Sequence, residues 1–389
     1  MVMPYLPSEL VEEILSWVPA TSLVKLLSTC KQWNALLKDQ RFTEKQLRRA
    51  PKQPQILMLK EYRFFPTRVD VNVVPPSIEL KDALSLKDPH SNKPSKQVRI
   101  AEVYHCDGLL LCITRDSGLV VWNPCLGETR WIQHKNGYKV SCRFALGYES
   151  NRFDIRSYKI LMFFRGKPDE FEIYEFTTNT WRVVNAPSGF IRAKYHGVCL
   201  RGNAYWLHVD DNADYHFLRF DFTRERFTSF CLPQSPSRRY MALSVVREKQ
   251  LSVLSYKKSG HDVVEMWEVE MWVTNEIDTK AEEEEELSWR KSFAVGKNRI
   301  RVNGIDCYTS LLIDEEKKVA LCCNLSGLCS SNLNVVYTMG EDDDEYYTEI
   351  PYIEKQWLLC HGEDERAWRP FFFSYVPSLV QIQPKYISN

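Results

Sequence analysis

Val103-Tyr104-His105-Cys106-Asp107-Gly108-Leu109-Leu110-Leu111-Cys112-Ile113 is the stretch on which the reading of this chain turns. Asp-Gly between two apolar runs signals a hairpin, because a tight two-residue turn needs positive φ at both central positions and glycine adopts it without strain. The same strand-turn-strand unit recurs at Phe144 to Phe164 with a longer turn. It returns at Gly197 to Val209 (turning at Arg201-Gly202-Asn203), Leu243 to Ser255 (near Glu248-Lys249) and Leu311 to Cys323 (Glu315 to Lys318). Each unit is followed by an apolar strand and then by a strand led by an aromatic. The pairs are Leu119 to Trp122 with Trp131, Phe171 to Phe176 with Trp181, Phe217 to Phe222 with Phe227, Val263 to Val273 with Trp289, and Leu333 to Tyr337 with Tyr346 and Tyr347. Four strands per repeat of about 45 to 50 residues is the pattern of a propeller blade, whose faces bury against neighbouring blades and leave only short edges. Five blades are read this way. A sixth is expected to combine the first strands (Gln55 to Leu59, Thr67 to Val73) with the last segment (Phe371 to Ile382), closing the ring. The expectation is an all-β propeller of about six four-stranded blades, with seven as the alternative.

Ahead of the repeats the pattern is helical. Leu6-Pro7-Ser8-Glu9-Leu10, Glu13-Ile14-Leu15, Val18-Pro19, Ser22-Leu23 and Cys30-Lys31-Gln32-Trp33 read as three short amphipathic helices with a proline turn. Ser8 is expected to cap the first, and Thr21 or Ser22 the second, by accepting from early free amides. Leu10, Ile14 and Trp17, and Val11, Leu15 and Val18, recur at helical spacing. Three helices this short cannot hide so many apolar side chains, and each Leu or Ile left in water forgoes roughly 1.5 to 3 kcal/mol. A second surface should cover them. A basic, proline-marked junction (Lys45, Arg48, Arg49, Pro51, Lys52, Pro54) follows, read as a solvated helix end. The organisation expected is therefore a small all-α module over 1–50 and a large β domain over 51–389.

Composition narrows the function classes. With 389 residues of which 44% are apolar, the chain can build a large core. Lys plus Arg and Asp plus Glu both number 51, which argues against a nucleic-acid surface dependent on basic excess. Twelve cysteines without a secretory-type leader point to reduced thiols and to the cytosol or nucleus. No apolar run approaches a bilayer span, so no membrane role is expected.

The helical residues Leu6, Pro7, Leu10, Ile14, Leu15, Pro19, Leu23, Cys30, Trp33 and Phe42 resemble the F-box, over about residues 4 to 47. Trp17 departs from that pattern, standing where the family often has Arg, and so does Leu27. The resemblance implies docking on the Skp-type adaptor of Skp-cullin-F-box ubiquitin ligases, through Leu6, Pro7, Leu10, Ile14, Leu15, Pro19, Leu23, Leu26, Cys30, Trp33 and Leu36. The remainder, from about 55 to 382, resembles the kelch-like F-box-associated domain of a large plant family. The residues that carry this are His105 to Cys112, Val121-Trp122-Asn123-Pro124 with Gly127 to Trp131, Ala145-Leu146-Gly147-Tyr148, Tyr158 to Leu161, Asn203-Ala204-Tyr205-Trp206 and Tyr375 to Val380. It implies that the propeller recruits a protein substrate for ubiquitination.

Catalytic signals are weak. His105-Cys106-Asp107 places a thiol beside a base, yet Asp-Gly turn chemistry explains the trio better. Cys322, Cys323, Cys329, Cys360 and His361 fit no common zinc spacing. No catalytic residue, metal or cofactor is expected. The Trp122, Trp131, Trp181, Trp206, Trp272 and Trp289 stripe reads as blade packing rather than a ligand cage.

In an up-and-down sheet alternate turns emerge on opposite faces. Glu282 to Glu286 and Glu341 to Glu345 should therefore share one face, as turns between third and fourth strands. The opposite face collects the turns between second and third strands and the interblade links, where Arg165, Lys167, Arg192, Lys194, Arg238, Arg239, Lys257 and Arg299 are the candidates for an acidic or phosphorylated partner. The competing function is a non-ligase interaction scaffold built on the same propeller.

Overall fold

The run Leu109-Leu110-Leu111-Cys112 has no polar residue to turn toward water because both faces of its strand are buried. Leu109 and Leu111 enter one apolar cluster, Leu110 and Cys112 another on the opposite side. The structure, a computed structural model, describes residues 6–73, 77–88, 97–138, 142–151, 155–164, 167–184, 196–209, 215–232, 240–259, 266–277, 287–295, 310–326, 333–340, 345–350 and 370–382.

Among these residues the strands form six four-stranded sheets. Five are built from strands that follow one another in sequence. Blade II comprises Ile100–Cys106, Leu109–Thr114, Leu119–Asn123 and Glu128–Ile132. Blade III comprises Cys142–Ser150, Arg156–Phe164, Lys167–Glu175 and Thr180–Val184. Blade IV comprises Val198–Leu200, Asn203–Val209, Tyr215–Asp221 and Arg226–Cys231. Blade V comprises Tyr240–Val246, Gln250–Ser259, Met266–Thr274 and Trp289–Val295, and blade VI Ser310–Asp314, Val319–Ser326, Leu333–Gly340 and Glu345–Ile350. The composite sheet, blade I, takes Gln55–Lys60, Arg63–Asp70 and Ser77–Leu80 from the start of the domain, and its innermost strand, Phe371–Tyr375, from the end. Antiparallel pairing from Gln55 with Tyr375 to Leu59 with Phe371 joins the two ends.

Apolar clusters are the interfaces between blades. Leu161 and Phe163 meet Trp206, Phe220 and Phe222 between blades III and IV. Tyr205 and Phe217 meet Met241 and Val253 between IV and V, while Met58 and Phe372 meet Leu321 between I and VI. Trp122 and Trp131 pack between I and II, Trp181 between II and III, and Trp289 between IV and V. The tryptophans at these interfaces serve blade packing.

The helical module has four α-helices: α1 (Ser8–Leu15), α2 (Ala20–Leu23) running into a tighter turn at Val24–Leu26, α3 (Lys31–Leu37) and α4 (Gln40–Arg49). Two expectations are corrected here. Pro7 and Pro19 hold the cap positions of α1 and α2, with no side-chain cap bond, so Ser8 starts its helix rather than capping it. Three helices are expected and a fourth is present: the Lys45 to Arg49 run, read as a helix end, is the last turns of a separate α4, whose Asp39 cap accepts from the Phe42 amide at 2.9 Å and whose Arg48 and Arg49 sit at the negative helix end.

Leu15, Ala20, Leu23, Leu37 and Phe42 form the module's core, and Leu379 from the chain's other end completes it, with Cys125 and Leu126 at the edge. Part of the second surface that the module needs is thus supplied by the chain itself. The tail carrying Leu379 is pinned on blade II. Asn123 donates to the Ser378 and Val380 carbonyls at 3.1 and 2.7 Å, and the Ser378 hydroxyl donates to the Asp107 carbonyl at 2.6 Å.

That seat requires Gly108, whose φ is +81° and whose missing Cβ would lie 2.4 Å from Ser378 Oγ and 2.8 Å from the Val376 carbonyl. Gly108→Ala should destabilise the chain by about 1 to 3 kcal/mol, through strain at positive φ and a forced shift of the tail. Gly137→Ala, with positive φ but open space, should cost about 1 kcal/mol or less. Urea denaturation of both variants checks the ordering.

Candidate functional site: an exposed apolar stripe and a covered propeller mouth

Residues spaced four, four and three apart fall on one side of a helix, and Leu6, Leu10, Ile14 and Trp17 do so along α1 and its flanks. They are 57, 50, 55 and 56% exposed, four of the six large apolar side chains left in water among the described residues. Opposite them Leu15 turns into the core. The acidic side of α1 is clamped to α4: Lys45 Nζ lies 2.8 Å from Glu12 and 2.9 Å from Glu13, and Arg49 pairs with Glu13. Hydrogen bonds from Lys45 and then Arg49 hold the Glu13 carboxyl below its ordinary range. The Arg49 guanidinium also rests 5.8 Å from the Trp17 ring centre, fixing that ring at the end of the stripe.

The structure divides the residues expected to meet an adaptor. Leu6, Pro7, Leu10, Ile14 and Cys30 are exposed, and Pro19, Leu26, Trp33 and Leu36 half-buried. Leu15 and Leu23 are 8 and 0% exposed inside the module, where they hold it together rather than present it. Cys30 caps α3, its sulfur accepting from the Trp33 amide at 3.4 Å. Trp17, which departs from the family pattern but shares helical spacing with Leu10 and Ile14, belongs to the stripe.

The other side of the module sits on the propeller. Leu47 of α4 joins the cluster between blades II and III. Glu44 accepts from the Arg156 amide at 3.0 Å, Arg156 Nη1 reaches Asp107 at 3.0 Å, and the Tyr158 hydroxyl donates to Asp107 at 3.0 Å. Burial pushes the Glu44 carboxyl up, opposed by the Arg156 charge. Burial works against the Arg156 charge as well, but Asp107, Tyr158, Tyr148 and Glu44 raise its pKa further. Lys52 donates to the Leu47 carbonyl at 2.7 Å and faces Glu248 at 3.8 Å. Asp107 and Glu248 carry turn signals in the sequence, but no short-range signal pairs them with Arg156, Glu44 or Lys52.

Beneath this contact lies a cavity of about 690 Å³, lined by first strands of the blades and by Leu47, Lys52 and Pro54 on the helical side. His105 and His196 stand in its wall. His105 accepts from the Gly108 amide at 3.2 Å and packs on Phe373 and Tyr375. His196 Nε2 meets the Val103 carbonyl at 2.7 Å, and its ring stacks on Tyr104 at 4.6 Å. The trio His105-Cys106-Asp107 is thus taken apart by the fold: the imidazole serves the turn and Asp107 the junction. Among the described residues no group of three or more His, Cys, Asp or Glu side chains is placed to hold a metal ion, and no helix is long and apolar enough to cross a membrane.

Of the substrate candidates, Arg165, Arg192, Lys194, Arg238, Arg239 and Arg299 lie outside the described residues, as do 282–286 and 341–344. Lys167 and Lys257 are corrected from turns to strands, Lys167 opening the third strand of blade III and Lys257 pairing with Glu268 in blade V; their side chains lie outside the described set.

An exposed apolar stripe on a helical unit that is fused to a propeller defines an interaction protein. A family model described as F-box domain matches residues 3–45, and one described as F-box associated beta propeller domain matches 55–382. In Arabidopsis thaliana, a relative named as an F-box/kelch-repeat protein is 50% identical over 397 residues, covering 98% of each chain. An F-box protein there is 49% identical, covering 87% of this chain and 98% of its own. Another F-box/kelch-repeat protein is 39% identical, covering 98 and 97%. The chain belongs to the plant F-box proteins with a C-terminal F-box-associated propeller.

Burial lowers the His105 pKa from 6.5 to about 4. The unfolded chain therefore binds this proton at higher pH than the folded one, so stability is lost as pH falls from 6.5 toward 4, by about 3 kcal/mol from this group. His105→Gln should lose correspondingly less over that window. Unfolding free energies of both proteins between pH 7 and 4 check it; parallel curves would contradict it.

Proposed function

We propose that this chain is the substrate-recognition subunit of a Skp-cullin-F-box ubiquitin ligase. The observation that carries this is the stripe of Leu6, Leu10, Ile14 and Trp17, held outward by the clamp between α1 and α4 while the rest of the module is committed to the propeller. A Skp-type adaptor covers the stripe, with Pro7 and the half-buried Pro19, Leu26, Trp33 and Leu36 beside it and Cys30 on the same module; Leu15 and Leu23 act from within. The propeller binds a protein substrate, and a cullin-based catalytic machinery acts upon it. Membership of the family and whole-length likeness to F-box/kelch-repeat proteins support the reading.

The chain supplies proximity rather than bond-making chemistry, since tethering a target beside a transferring enzyme raises its effective concentration. Substrate recognition belongs to the face away from the helices, because α4 and the tail cover the other mouth. Arg165, Lys167, Arg192, Lys194, Arg238, Arg239, Lys257 and Arg299 remain its proposed contacts, for an acidic or phosphorylated partner. The described cysteines are free thiols, which suits a cytosolic or nuclear protein.

Co-expression of the full chain with a Skp-type adaptor should yield a complex. Leu10→Asp with Ile14→Asp should weaken it at least 100-fold, as expected when two buried apolar contacts worth about 1.5 to 3 kcal/mol each are lost. Because both residues are exposed in the free chain, its urea midpoint should hardly move. Failure of the wild-type chain to bind, or unchanged affinity in the double variant, would overturn the proposal.

A further inference from the structure

Two sulfur atoms meet in the wall of the cavity beneath α4, in a place the adaptor role does not use. Cys106 ends the first strand of blade II and Cys199 lies in the first strand of blade IV, and their Sγ atoms are 2.8 Å apart. Blade III lies between them in sequence, yet the first strands of II, III and IV touch one another where the ring is narrowest. We propose that Cys106 and Cys199 are an oxidation-sensitive pair that closes to a disulfide between the first strands of blades II and IV.

Three observations bear on it. The sulfurs need less than about 1 Å of further approach to reach the bonded separation of about 2.05 Å. Both residues line the cavity beneath α4, so a small oxidant has room to reach them. Their burial differs: Cys106 is 3% exposed and Cys199 half-buried. Burial, together with the neighbouring Cys199 thiol, raises the Cys106 pKa well above that of a free thiol, making it a poor first nucleophile. Cys199 is then the residue that meets the oxidant.

With hydrogen peroxide the chemistry balances as follows. Cys199 sulfur attacks one peroxide oxygen and the O–O bond breaks, giving a Cys199 sulfenic acid and a water molecule that carries off the thiol proton. Cys106 sulfur attacks the sulfenic sulfur, the S–O bond breaks, and hydroxide leaves as water with the Cys106 proton. Two thiols are oxidised and one peroxide is reduced, yielding one disulfide and two waters. A thiol reductant reverses the step. The bond would close a loop containing all of blade III and would lock Cys106, the neighbour of Asp107, where Arg156 joins the propeller to Glu44 of α4.

The full-length chain, treated with hydrogen peroxide and then blocked with N-ethylmaleimide, tests this by peptide mapping without reduction. A Cys106–Cys199 linked peptide should be the main new species and should disappear with dithiothreitol, while Cys112 and Cys322, buried elsewhere, stay unmodified. The oxidised wild type should melt several degrees higher than the reduced protein, and Cys199→Ser should show no such rise. The proposal is overturned if Cys106 and Cys199 remain alkylatable while other thiols oxidise, if Cys199 advances to sulfinic acid unpaired, or if Cys106 links instead to Cys142 of the same cluster. Mapping the wild-type chain alone decides between these results, whatever the folding of the variant.

Discussion

Leu379, fully buried in the core of a helical module at the other end of the chain, is the contact from which the arrangement follows. A propeller must be closed, and here closure comes from pairing Phe371–Tyr375 with Gln55–Lys60. The residues that emerge from that closing strand then have nowhere to go but across blade II. Asn123 and the Asp107 carbonyl bind this tail, so Leu379 is presented to the helices and Val380 to the cluster between blades II and III. One short segment closes the ring, covers the underside of the module and fixes where the module sits.

The division of labour in the helices follows. Their inner side is consumed by Leu379 and by the contact of Glu44 with Arg156, and α4 is clamped to α1 by Lys45 and Arg49. What remains is the outward stripe of Leu6, Leu10, Ile14 and Trp17. An ion pair at the surface contributes little by itself, yet the group of buried Glu44 with half-buried Arg156 and Asp107 cannot be broken without leaving a charge unpaired. Under the proposed function, an adaptor bound on the stripe is held at a set angle to the propeller, and the position of a recruited target relative to the catalytic machinery is set with it.

Much of this was legible in the sequence, for local reasons. The hairpins were readable because turn chemistry acts over two residues: Asp107 and Gly108 take φ of 50° and 81°, and Arg201 and Gly202 take 48° and 82°. Blade packing was readable because runs such as Leu109 to Cys112 are apolar on both faces, which only a strand buried on both sides tolerates. The stripe was half legible. Helical spacing separates Leu10 and Ile14 from Val11 and Leu15, but it does not say which side turns inward; Leu379 decides that. Helix α4 escaped detection because Thr43, Glu44 and Gln46 are buried polar residues among only two strong apolar ones, Phe42 and Leu47, so its composition reads as a charged junction. Glu44, Arg156 and Asp107 lie far apart along the chain and become neighbours only in the folded ring.

Amide hydrogen exchange across α4 in the intact chain decides whether module and propeller form one body. If they do, the amides of α4 exchange as slowly as those of the inner strands of blades II and III, and slow down no further when an adaptor binds, whereas α1 gains protection on binding. Fast exchange throughout α4 in a chain whose blades are protected would mean that the helices swing free, and would contradict it.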